Sequence, residues 1–91
     1  MSGRSVFLDT VAGNPQITQG VQLFRMPLFL TVLDEEFKKY GDEVWNNDDS
    51  VRDTARKVMP GTLSQFGFSG EEADRVTDLC VDDFIKASAE R

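Results

Sequence analysis

Ninety-one residues, 40% apolar and 29% charged, supply one hydrophobic core and therefore one domain. Ten basic against sixteen acidic side chains leave a net charge of −6, which argues against nucleic acid or an anionic membrane as a direct partner. Absence of histidine removes the commonest general base near neutral pH, and a single cysteine, Cys80, cannot close an internal disulfide.

The charge is unevenly spread. Residues 1–33 carry a net +1 and residues 34–91 a net −7. Apolar residues are skewed the other way, with 15 of the 28 positions from Val6 to Leu33 apolar. That is more than one small core needs from one segment, so part of this surface is expected under a partner or a second copy of the chain. The most apolar stretch, Val21 to Leu33, falls short of the roughly 20 residues of a membrane span, and the N-terminus lacks the pattern of a secretory signal. A cytoplasmic protein is the expectation.

In chain order, residues 1–14 read as an N-terminal arm, flexible or briefly extended. Val6-Phe7-Leu8 with Val11 fits either a short strand or a helical turn, because so short a run has no decisive period. Asn14 before Pro15 is a good N-cap with proline in the first helical position. Ile17, Val21, Phe24 and Leu28 then follow on one helical stripe, weakened by Gly20. Pro27 kinks that helix or begins another, which continues to Tyr40 with Leu30, Leu33, Phe37 and Tyr40 inward and stops at Gly41. Leu28, Phe29 and Val32 make its opening turn apolar almost all round. Asp34–Lys38 and Glu35–Lys39 are spaced for ion pairs along it.

A polar connection holding Val44 and Trp45 leads to a helix capped by Ser50 or Asp49. Its inner face is Val51, Ala55, Val58 and Met59, and Pro60-Gly61 is expected to end it. Ser69 with Glu72 forms a capping box for the last helix, from about Gly70 to Ala89. Ala73, Val76, Cys80, Phe84 and Ala87 give that helix an apolar stripe. The sum is an all-α, four-helix bundle-like domain over residues 15–91.

Chemistry is sparse. Cys80 lies mid-helix on the apolar stripe, where burial makes a thiol inert. Asn46-Asn47-Asp48-Asp49-Ser50 suggests a calcium loop, but the places for the required glycine and glutamate hold Val51 and Lys57. No metal or cofactor is expected. Asp74, Asp78 and Asp82, with Glu71, form an acidic stripe on the last helix, read either as a solvated face or as a docking surface for a basic protein. Arg52, Arg56 and Lys57 are the one basic cluster, with Asp48 and Asp53 spaced to neutralise it along the helix. Trp45 is either a plug over the bundle end or a binding anchor.

Two stretches resemble an acyl carrier protein. Asp49-Ser50-Val51 is similar to the motif whose serine carries the phosphopantetheine arm, and Glu71 to Thr77 is similar to a stretch beyond the family's recognition helix. The resemblance implies a small acidic four-helix carrier modified at Ser50. The chain departs from the pattern where Pro60-Gly61 interrupts the recognition helix, where Arg52, Arg56 and Lys57 replace acidic residues, and in its longer portion before Ser50.

The function expected from the residues is a non-enzymatic protein-interaction module: a regulatory, adaptor or inhibitory subunit. The apolar segment around Phe24, Leu28 and Phe29, to Leu33, would supply a self-association or obligate interface, and Asp74, Asp78 and Asp82, with Trp45 nearby in sequence, a second surface for a basic partner. The alternatives are the carrier with Ser50 as its site, and an acidic mimic of nucleic acid that blocks a basic protein.

Overall fold

The structure is a computed structural model and describes residues 3–90. Among these residues it is all-α, with five helices and no strand: α1 (Gly3–Gly13), α2 (Pro15–Gly20), α3 (Met26–Lys38), α4 (Asp48–Gln65) and α5 (Gly70–Ala89). Two 3-10 turns, Leu23–Arg25 and Asp42–Asn46, lead into α3 and α4. The most extensive packing is between α4 and α5; α3 lies on α4, and α1 bridges α3 and α5.

The expected N-terminal arm is the main correction. Met1 and Ser2 lie outside the described residues, but Gly3 to Gly13 is helical and belongs to the domain. Phe7 and Val11 are fully buried and Val6 nearly so. An isolated helix of this length is marginal in water, so burial of its apolar side chains against the rest of the fold is what holds it. An ion pair from Arg4 to Asp34, 2.9 Å, ties it to α3. Strand and helix differ here only in what the run packs against, which its own residues do not encode.

The core has two aromatic groups. Phe7 meets Phe37, Phe84 and Trp45 with ring centroids 5.1, 5.5 and 5.6 Å away. Phe29 meets Phe66 edge-on at 5.2 Å. Trp45 also contacts Phe37 and Phe84, so it closes the end of the bundle, and a side chain on Gly3 would strike it. Gly20 is needed for the same reason, because a Cβ there would clash with the Phe68 ring. The expected inner faces of α4 and α5 are observed, with Val51, Ala55, Val58, Met59, Ala73, Val76, Cys80 and Phe84 buried, except at Ala87, which is only half-buried near the end of α5. On α3 the inward line is Phe29, Leu33 and Phe37; Tyr40 is exposed.

Three boundaries differ from the sequence reading. The helix begun at Asn14 stops at Gly20, because Val21 and Gln22 turn extended with ψ of 125° and 139°. Pro60 does not end α4, which runs on to Gln65. Proline there removes one backbone bond, to the Arg56 carbonyl, while the burial of Met59, Thr62 and Leu63 on either side keeps the helix going. The cap of α4 is Asn47, whose Oδ1 accepts the Ser50 N–H at 2.8 Å, so Ser50 lies within the first turn. The other expected caps form. Asn14 Oδ1 accepts from the N–H groups of Gln16 and Ile17, and Ser69 Oγ accepts from Glu72 N–H. Gly41 and Gly67, with φ of 79° and 103°, supply the left-handed stops after α3 and α4.

Candidate functional site

Two features of the surface stand out, an apolar knob and an ion cluster. The extended residues Val21 and Gln22 and the turn after them swing Leu23 and Phe24 away from the body. They are 87% and 79% exposed, and Leu28 on the first turn of α3 is 55% exposed. Packing continues immediately beneath: the Arg25 guanidinium sits over the Phe66 ring, 4.5 Å from its centroid, and Phe66 covers Phe29. The knob therefore stands on a rigid base.

Of the residues expected to bind a partner, Phe24 and Leu28 lie in this knob. Phe29 does not; it is fully buried, because residue 29 shares its helical face with Leu33 and Phe37. Trp45 is half-buried among Phe7, Phe37 and Phe84, the plug rather than a free anchor. The sequence reading passed over Leu23. Its signal was the Val21-Gln22 segment after Gly20, where the helical stripe breaks and the next apolar residues lose their inward register.

The acidic stripe is engaged within the chain. Arg52 of α4 reaches Asp82 at 2.5 Å and Asp78 at 3.1 Å, and Arg56 reaches Asp78 at 3.0 Å. Its hydrogen bond from Arg56, opposed by partial burial and reinforced by Arg52, holds the Asp78 carboxyl below the usual carboxylate range. Asp82 is the main cause of a raised Arg52 pKa. Neutralisation of the basic cluster thus runs across α4 and α5 rather than along α4. Asp74 is exposed and has no ion-pair partner among the described residues. It lines a shallow cavity of 180 Å³ with Arg56, Pro60, Thr77 and Asp78. A second cavity, 270 Å³, lies between α2 and α5 and includes Gln16, Gln19, Phe68 and Arg75.

Cys80 is fully buried, and its thiol is pushed up to about 12, chiefly by burial and secondarily by the charge of Asp83. No three histidine, cysteine or carboxylate residues gather into a metal site among the described residues. Ser50 is half-buried in the first turn of α4, and the helix that follows it continues through Pro60, as a carrier's recognition helix would. No helix among the described residues is long and apolar enough to cross a membrane.

No family of proteins, no curated protein and no solved structure matches this chain.

Proposed function

We propose that this chain is a protein-interaction module that performs no chemistry of its own and docks through the knob of Leu23, Phe24 and Leu28. The observation that carries this reading is the exposure of Leu23, Phe24 and Leu28, close together along the chain, in a fold that buries most of its other large apolar side chains. Burying such a side chain contributes about 1.5–3 kcal/mol, so leaving three in water is costly unless something covers them. Contiguous exposed apolar surface on a small protein is characteristic of an interaction site. The acidic stripe supports a basic partner less well, because Asp78 and Asp82 already hold Arg52 and Arg56. The same engagement weakens the reading as a nucleic-acid mimic, which needs carboxylates free to meet a basic protein.

The test is photo-crosslinking in the native cells. A benzophenone side chain at position 23 is expected to give one discrete protein adduct, while the same group at exposed Lys57 gives none. A diffuse smear from both positions, or no adduct from position 23, would remove the proposal.

A further inference from the structure

We infer that the occupant of the knob is a second copy of this chain, with α3 of one protomer packed antiparallel on α3 of the other about a two-fold axis. The inference rests on the docking reading above and names its partner. Four large apolar side chains are exposed among the described residues: Leu23, Phe24, Leu28 and Tyr40. All four flank or lie on α3, three at its N-terminal end and one just beyond its C-terminal end. An antiparallel two-fold brings the first end of one helix to the second end of the other, so one operator places the two knobs at the two ends of a single contact.

Charge points the same way. Two copies carrying −6 each repel, so the joining surface must be poor in charge or complementary to itself. Residues 14–33 hold one ionisable side chain, Arg25. Leu28, Val32 and Glu35 share one side of α3, and Arg25, in the turn before it, continues their steps of three and four with its half-buried guanidinium over the Phe66 ring. The base stands at one end and the acid at the other. Antiparallel pairing centred on residue 30 sets Arg25 opposite the partner's Glu35 and Leu28 opposite the partner's Val32, and each contact occurs twice. Both helix dipoles are then opposed as well. Glu35 is free to take this role, being 65% exposed and only 3.6 Å from Lys38 in a loose surface pair.

The experiment is sedimentation velocity on the full chain across a dilution series. The expected mass is twice 10.2 kDa at high concentration, falling toward 10.2 kDa on dilution. Phe24→Ser with Leu28→Ser should give monomer with an unchanged helical circular dichroism spectrum. Glu35→Arg alone should weaken association roughly three- to tenfold, since it sets like charges opposite at two places. Arg25→Glu with Glu35→Arg should restore it. A chain that stays monomeric throughout overturns the inference, as does a dimer that ignores Glu35→Arg or the knob substitutions. A monomer whose position-23 adduct contains a different protein would overturn the self-association and leave the docking function standing.

Discussion

Arg52 on α4 bonds Asp82 on α5 at 2.5 Å, and the Asp78 it also touches is shared with Arg56 at 3.0 Å. Two arginines and two aspartates thus clasp the largest helix pair in the fold from its outer side. Such pairs contribute modestly where solvent reaches them, and these side chains are 27–60% exposed.

Arg52→Ala is accordingly expected to lower unfolding free energy by about 1 kcal/mol in urea denaturation at low salt, and by less in high salt. The pH dependence follows from the depressed Asp78 carboxyl. Its folded value lies below the unfolded one, so its stabilisation is present above about pH 4 and is lost as pH falls through the folded value. In the Arg52→Ala, Arg56→Ala double variant, that acid-side loss should shrink measurably.

Asn14 is 3% exposed and performs two tasks. Its carbonyl oxygen caps α2, and its amide donates to Asp83 at 2.8 Å, fastening the α1–α2 junction to α5. Asn14→Ala is expected to cost about 1–3 kcal/mol, seen as a lower urea midpoint with an unchanged slope. Asn14→Ser keeps a cap but shortens the reach to Asp83, and should fall between the two.

The caps at Asn14 and Ser69, the inner faces of α4 and α5 and the all-α class were legible because each depends on residues within a few positions of one another. What failed to show was long-range. Phe7 makes α1 a core helix through contacts with Phe37 and Phe84, far along the chain. Arg52 and Arg56 found aspartates on another helix instead of Asp48 and Asp53 on their own. Pro60 was read as a stop because local rules count the missing N–H and cannot count Met59 and Leu63 buried around it. At the site, Phe24 and Leu28 were legible as excess apolar surface. Phe29 was misassigned because an opening turn apolar on all sides does not say which side faces in.

Cys80 should be silent toward thiol reagents. With its thiol pushed up to about 12, native protein at pH 8 is expected to react with an aromatic disulfide reagent only as fast as it unfolds, and at once in denaturant. The sign of the linkage is also fixed. The unfolded thiol ionises near pH 8.5 and the folded one far higher, so stability should decline as pH rises from about 9 toward 12. Cys80→Ala should flatten the part of that decline that comes from this group.

Pro60→Ala should stabilise. α4 is already helical on both sides, so alanine adds a donor for the Arg56 carbonyl without changing the path. A gain of about 1–2 kcal/mol in thermal or urea unfolding is expected, reduced by the looser unfolded chain that alanine allows. Phe24→Ser, at a position 79% exposed, should by contrast leave monomer stability within about 0.5 kcal/mol.

The tilted contact of Phe7 with Phe37 on α3 and its edge-on contact with Phe84 on α5 bear on the order in which the fold assembles. Phe37 is far nearer to Phe7 along the chain than Phe84 is, so docking α1 on α3 closes the shorter loop and costs less chain entropy than docking it on α5. The aromatic junction is therefore expected to knit from the α3 side, with α5 arriving on a surface already formed.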